Sequence, residues 1–399
     1  MLSLAVLQSV IDENNATQVK SNTIERDAEI QRPSRFVTVI TGVRRCGKSF
    51  LLRQSMLSVK RKIFLNFEDI RLDGFVFSDF NKVEKIALDE GIKYLVFDEI
   101  QSIEGWEKYV RSAHDKGFHI YITGSNASML SRELGTRLTG RHVQKELFPF
   151  NYSEFLSLRK KKGSPSTLRE YLFNGGFPEY LLEANSEFLR TLLRDIVVRD
   201  TAVRRGIRNE HTLLQLALYL MSNVGKEISY NNLSNTLEIK SVRTTIDYCN
   251  YLNESYLFDF VPLFSFSARK QMANPKKAYS VDTGMARASS LSFSEDAGRM
   301  LENAVYIKLR RSGNNIFYFR DSRSECDFIV KENERVVAAI QVCSELNDDN
   351  LKREITGLKT AMEITKAKKG YIVSFDQEDE FDGIRVIPAW KWLQTKMEI

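Results

Sequence analysis

Cysteine, proline and histidine are all scarce in this 399-residue chain, and each shortage closes off a class of protein. The four cysteines, Cys46, Cys249, Cys326 and Cys343, stand far apart with no C-x-x-C pair. That spacing argues against a zinc site and a disulfide framework and suits a reducing, cytoplasmic setting. Seven prolines and no low-complexity segment leave little room for disordered linkers. The four histidines, His114, His119, His142 and His211, show no metal-ligand spacing and read as structural or surface residues. No apolar run reaches about 18 residues, so no membrane partner is expected. The opening "MLSLAVLQSVIDENN" lacks a basic leader, turns acidic at once, and reads as an amphipathic helix. The formal charge of +6 permits a nucleic-acid partner without reaching the density of a DNA-coating protein.

The length implies two to four domains, since single cores stop growing near about 250 to 300 residues. The strongest signal is "RFVTVITGVRRCGKSFLLRQSML". A β-branched run from Phe36 to Thr41 enters Gly42, Val43, Arg44, Arg45, Cys46, Gly47, Lys48 and Ser49, a G-x-x-x-x-G-K-[ST] match. Phe50, Leu51, Leu52 and Leu57 then recur at helical spacing. Glycines let successive N–H groups curl around phosphate oxygens, and the helix start adds partial positive charge. Lys48 is expected to meet the β- and γ-phosphates of ATP, and Ser49 to offer Mg²⁺ a hard oxygen ligand.

A second apolar run, "YLVFDEIQ", ends in Asp98 and Glu99, whose side chains leave a strand on opposite faces. Asp98 suits the holding of Mg²⁺ and Glu99 the activation of an attacking water. A third, "FHIYITGSN", ends in Ser125 and Asn126; a polar group there either senses the γ-phosphate or merely makes a turn.

Taken in order, "ITGVRRCGKS", "VFDEIQ", "ITGSNASMLSRELGTRLTGR", "ELFPFNYSEFL" and "NGGFPEYLL" resemble the bacterial and archaeal AAA-type ATPases that carry a C-terminal domain of long-unassigned function. The resemblance runs over essentially the whole chain. It implies an α/β, additional-strand P-loop core in which Lys48, Ser49, Asp98 and Glu99 match the ATP-site motifs, and it sets Gly175 to Pro178 in a lid near the adenine. Arg137 and Arg141 are the arginines expected to stabilise charge on the transferred phosphoryl group, against the common alternative of a solvated or ion-paired face.

From Glu187 to Arg208 a charged amphipathic helix is expected. Three helical segments follow, with Ser229 and Ser241 as N-caps, and then "LFDFVPLFSF" and "KKAYSVD" as two strands of a wing whose exposed tip is "SARKQMANPKK". This is a winged-helix pattern. Lys240 and Arg243 on its third helix, and Arg269, Lys270, Lys276 and Lys277 on the wing, are the candidate phosphate contacts, although Asp247 and Glu254 weaken that helix as a DNA face. DNA and protein both remain open as partners, as does self-association.

After Ser294 the pattern is a helix, a three-strand meander, a crossover helix and a further strand, which resembles the PD-(D/E)XK nuclease core. Active members combine a helical Glu, a strand Asp and an acid-x-Lys around one or two metal ions. Glu302 matches the first and Asp327 the second, but Gln341 and Cys343 stand where the acid and the lysine belong. A neutral amide and a thiol do not replace a carboxylate and an ammonium, so a degenerate, non-cleaving domain is expected over an ATP-regulated nuclease. Lys331, Glu332 and Glu345 are the residues from which a migrated group would come, and Arg320 or Arg323 the expected partners of the two acids.

The expected organisation is a P-loop core over 1–157, a helical lid and linker over 158–208, a winged helix over 209–290 and a small restriction-endonuclease-like α/β domain over 291–399. The expected activity is Mg²⁺-dependent ATP hydrolysis coupled to conformational change in the C-terminal half, with a nucleotide-gated assembly module as the alternative.

Overall fold

A computed structural model of the chain describes residues 2–16, 24–124, 138, 140–183, 185, 187–291 and 297–395. It divides into two compact units, Met1–Phe148 and Pro149–Ile399.

The first unit comprises α1 (Leu4–Ala16), β1 (Val37–Thr41), α2 (Lys48–Ser55), β2 (Lys62–Asn66), α3 (Phe80–Asp89), β3 (Tyr94–Asp98), α4 (Trp106–Asp115), β4 (His119–Gly124) and β5 (His142–Glu146). The strand order is β2-β3-β4-β1-β5, parallel throughout, so β4 is inserted between the strand that leads into the glycine loop and the strand that ends in Asp98. Leu95, Val96 and Phe97 of β3 are fully buried. A central parallel strand is covered on both faces, which explains why it reads as an unbroken apolar run rather than an alternating one. Phe80 of α3 stacks on Tyr109 of α4 with ring centroids 4.2 Å apart, packing these helices together over one face of the sheet.

In the second unit α5 (Tyr152–Arg159), α6 (Pro165–Asn174), α7 (Pro178–Glu183) and α8 (Phe188–Arg194) come first, and α8 runs on into a π-helical stretch, Asp195–Val203. Then follow α9 (Glu210–Ser222), β6 (Glu227–Ile228), α10 (Tyr230–Thr236), α11 (Val242–Glu254), β7 (Phe258–Pro262), α12 (Ala268–Ala273), β8 (Lys276–Ser280) and α13 (Thr283–Ser289). Ser229 and Ser241 do cap: their hydroxyls accept from the backbone N–H of Asn232 at 3.2 Å and of Thr244 at 3.1 Å. Strands β6, β8 and β7 form an antiparallel sheet. The expected open tip between β7 and β8 contains α12, with Arg269 and Lys270 exposed.

The chain closes with α14 (Ala297–Arg311), β9 (Asn315–Arg320), β10 (Glu325–Glu332), β11 (Arg335–Cys343), α15 (Leu351–Thr365), β12 (Lys369–Ser374), β13 (Asp379–Phe381), β14 (Ile384–Pro388) and α16 (Ala389–Trp392). Here β9, β10 and β11 form an antiparallel meander, and α15 carries the chain over to β12, which pairs in parallel with both β11 and β14. No helix among the described residues is long and apolar enough to cross a membrane.

Candidate functional site

Two places gather the residues singled out in the sequence. The first lies at the carboxyl ends of β1 and β3. Gly42 has φ 139°, and a Cβ there would lie 2.1 Å from the carbonyl oxygen of Leu147, so only glycine admits this close approach. Gly47, at φ 100°, ends the loop and starts α2. Arg45 also takes a left-handed conformation, at φ 62°, as a curled loop requires. The buried Lys48 bends over the loop, its Nζ donating to the carbonyls of Gly42 and Val43 at 3.1 Å each, and lies 3.9 Å from Oε1 of Glu99. A cation placed above backbone groups in this way faces the position where phosphate would lie.

Asp98 is buried at the end of β3 and accepts hydrogen bonds from the hydroxyls of Thr123 and Ser49. Burial pushes its carboxyl up, against the two hydroxyls and the Lys48 charge, which pull it down. A buried carboxylate beside a serine hydroxyl is a hard-oxygen pair, and Mg²⁺ fits it. Ser49 and Asp98 are the residues that would hold the metal. Glu99 follows at φ 53°, a strained conformation for a non-glycine residue, held by its N–H donating to Oγ1 of Thr123 at 2.9 Å and by Gln101 donating to its carboxylate. The turn at Glu99 aims the second carboxylate toward Lys48 instead of along the strand.

Arg26 escaped the sequence reading. Buried against the loop, it donates through one Nη to the carbonyl of Cys46 at 2.8 Å and through the other to that of Phe148 at 2.7 Å. It clamps the phosphate loop from outside the motif. Nothing in "IERDAEIQRPS" marks it, because its role depends on a long-range contact. Cys46 is buried and its thiol donates to the carbonyl of Leu147 at 3.3 Å, so it packs rather than reacts.

Arg141 does not join this site in cis. It precedes β5, its carbonyl accepts from Val37 at the amino end of β1, and its guanidinium is paired with Asp115 at the end of α4. It therefore lies at the opposite, amino end of the strands from Gly42–Ser49 and does not reach that site within its own chain. Asn126 and Arg137 lie outside the described residues. Arg44 pairs with Glu68 at 3.7 Å, while Ser49 and Phe50 begin α2. Gly175 and Gly176 belong to the second unit, where the Gly176 N–H donates to the buried Asp282 at 2.6 Å.

The second place surrounds Glu302 and Asp327. Glu302 on α14 and Asp327 on β10 are brought together, and the cation between them is Lys277, not Arg320 or Arg323. Its Nζ is 2.9 Å from Oδ1 of Asp327, 3.1 Å from Oε1 of Glu302 and 3.3 Å from Oε1 of Glu325. Arg320 pairs with Glu227 instead, at 3.0 Å. Lys277 was expected on an exposed wing, but β8 alternates, and Lys277 and Tyr279 share its inner face. Tyr279 donates to Oε1 of Glu302 at 2.6 Å, and the backbone of Ser280 is bonded both ways by the Asn303 amide, at 2.9 and 3.1 Å. The strand is thus stitched to α14.

Gln341 is fully engaged: its Oε1 accepts from the N–H of Asp327 at 3.3 Å and its Nε2 donates to Glu354 at 2.8 Å. The other oxygen of Asp327 accepts from Val342 at 2.9 Å. Cys343 donates to the carbonyl of Glu345 at 3.0 Å, and burial pushes its thiol up, so it is neutral. Lys331 is held by Glu334 on the hairpin, at 3.2 Å. Burial first, and Asp327 second, raise Glu302 to about 7 against the pull of Lys277 and Tyr279. Burial alone would lower the Lys277 ammonium, but Asp327, Glu302 and Glu325 together raise it. Among the described residues no group of three or more His, Cys, Asp or Glu side chains is arranged to hold a metal.

The model of an AAA domain matches residues 34–156, and two domains of unknown function, DUF8612 and DUF4143, match 165–296 and 297–392. The chain is 36% identical to the uncharacterized protein MJ1544 of Methanocaldococcus jannaschii, over 98% of this chain and 95% of that one. It is 31% identical to an uncharacterized protein of Haemophilus influenzae, over 90% and 94%. A solved structure of the replication initiator DnaA bound to AMPPCP and single-stranded DNA aligns over 63% of this chain and 86% of that one, at 14% identity and a TM-score of 0.29, too low to carry an argument. An AAA domain followed by two domains of unassigned role, matched from end to end by these relatives, places the chain in the same protein family as MJ1544.

Proposed function

We propose that this protein binds ATP with Mg²⁺ at Gly42–Ser49 and hydrolyses it, and that the cycle changes how its C-terminal half engages a partner, with DNA the favoured one. The observation that carries the reading is the convergence of Lys48, Ser49, Asp98 and Glu99 where two neighbouring loops leave the sheet. Successive loop N–H groups and the Lys48 ammonium receive the triphosphate, exchanging the Gly42 and Val43 carbonyls for phosphate oxygens. When bound, Mg²⁺ would neutralise charge on the phosphates. Glu99 accepts the proton of a water as its oxygen attacks the terminal phosphorus, and the bond to the leaving diphosphate oxygen breaks. Thr123 orients both acids, one through its hydroxyl proton and the other through its lone pair.

In the second unit, α9, β6, α10, α11, β7 and β8 follow one another as in a winged helix, which supports DNA as the partner. Arg269, Lys270, Lys240 and Arg243 supply the phosphate contacts, while Lys277 is withdrawn from that role because it is buried. The last domain is a non-cleaving frame: Lys277 compensates Glu302 and Asp327 internally, and Gln341 is used up in packing. The test is turnover by wild type and Glu99→Gln, with DNA binding followed by anisotropy with and without ATP. Turnover should fall about a hundredfold or more in Glu99→Gln, and ATP should alter DNA binding in wild type but not in Lys48→Ala. Equal turnover removes Glu99 from catalysis; absence of DNA binding moves the partner to protein.

A further inference from the structure

The second unit contains a cavity of about 950 Å³, lined by Leu172 and Met221 and by four arginines, Arg169, Arg190, Arg287 and Arg299, from four helices. None of the roles argued above uses it. Arg287 lies 3.5 Å from the ring centroid of Phe173, and its Nε donates to the Phe173 carbonyl at 2.9 Å. Arg190 is tethered likewise, its Nε donating to the carbonyl of Ala288 at 2.6 Å. Arg169 faces the ring of Phe375 at 5.3 Å. Both tethers take Nε, and among the described residues the terminal N–H groups have no acceptor.

Among the described residues no carboxylate comes within ion-pair distance of Arg169, Arg190 or Arg287. Glu345 and Asp376 also line the cavity but pair with none of the three. Arg169, Arg190 and Arg287, beside two aromatic rings and apolar side chains, fit a ligand with two parts: a phosphate or similar dianion for the arginines, and a flat ring for the apolar wall. The volume is that of a small-molecule site, and the arginine fork favours phosphate over a halide or a single carboxylate.

We propose that this cavity is a second nucleotide site, taking a nucleoside monophosphate or a nucleotide of similar size, with Arg190 and Arg287 on the phosphate and Phe173 or Phe375 beside the base. It stands independently of the ATP-site reading. The test is titration calorimetry on the full-length chain carrying Lys48→Ala, which disables the P-loop's phosphate contact. AMP, GMP, CMP and UMP are the probes, with adenosine and inorganic phosphate as half-ligand arms. At least one monophosphate should bind, more tightly than either half. Arg287→Gln and Arg190→Gln should each weaken it by about tenfold or more. Arg169→Gln, whose side chain makes no hydrogen bond among the described residues, should weaken it without disturbing the fold, as circular dichroism will report. No binding of any probe at millimolar concentration, or affinities within about twofold of the parent in all three arginine variants, overturns the proposal.

Discussion

Replacing Lys277 by methionine separates charge from packing at the second site, because methionine retains most of the aliphatic length and loses the ammonium. Lys277 has a 5% exposed side chain and sits within 3.3 Å of three carboxylates. Removing one partner from a buried ion pair costs about 3–5 kcal/mol, since the opposing charge is left uncompensated. At roughly 2–4 °C per kcal/mol for a unit of this size, the second unit should melt about 10 °C lower. The loss should also depend on pH. Lys277 is one of the groups that hold Glu302 down to about 7, so without it the Glu302 carboxyl rises further and its ionisation costs more as pH climbs above 7. Lys277→Met should therefore be destabilised more at pH 8.5 than at pH 5.5. Adding Glu302→Gln and Asp327→Asn removes the stranded charges and should restore much of the lost stability. Thermal unfolding followed by circular dichroism gives each value. A single variant that melts within about 2 °C of wild type, or a triple variant no more stable than the single one, refutes the charge argument.

Two further predictions follow from neighbouring geometry. Glu302→Gln mimics the protonated acid: because the folded-state value is raised from 4.5 to about 7, the stability this group contributes is complete below the unfolded value and is lost as pH rises through 7. The variant should thus match wild type near pH 4, gain on it between about pH 4.5 and 7, and hold a constant lead above that in urea titrations; Asp282, raised to about 6, titrates in both proteins and cancels. A gap that does not widen with pH would show that Glu302 is ionised throughout. Arg26→Ala removes two charge-assisted hydrogen bonds to the carbonyls of Cys46 and Phe148, so the first unit should lose about 2–4 kcal/mol. ATP affinity should drop about tenfold as the loop loosens, measured by fluorescence titration, and unchanged affinity would show that the loop holds its shape without the clamp.

What could be read in advance follows from how local each signal is. The phosphate loop is legible because its chemistry is backbone geometry over eight consecutive residues: glycine is demanded at 42 by the Leu147 carbonyl and at 47 by a left-handed turn, and Lys48 has its functional place fixed by the helix it opens. Asp98 and Glu99 are legible for the same reason, though not the left-handed turn that lets adjacent residues serve one site. Arg26 and Arg141 are the opposite case. Each is a long side chain whose partner lies far away in sequence, so composition and spacing leave both its position and its task open.

Lys277 shows where a motif reading misleads. A nuclease frame places its lysine two residues after the position of Gln341, and Cys343 stands there. The ammonium comes instead from β8, outside that frame, and it reaches the same two acids. Strand alternation contained a clue, since Lys277 and Tyr279 share the face opposite Ala278, and a tyrosine that ends fully buried implies that its face is an inner one. A lysine on such a face must find carboxylates, because an unpaired buried ammonium is too costly to persist. The consequence reaches beyond one residue. The Lys277 ammonium occupies the space between Glu302 and Asp327, and the Tyr279 and Asn303 bonds hold its strand against α14. The acids that look like remnants of a cleavage site thus fasten the three-stranded sheet to the last domain.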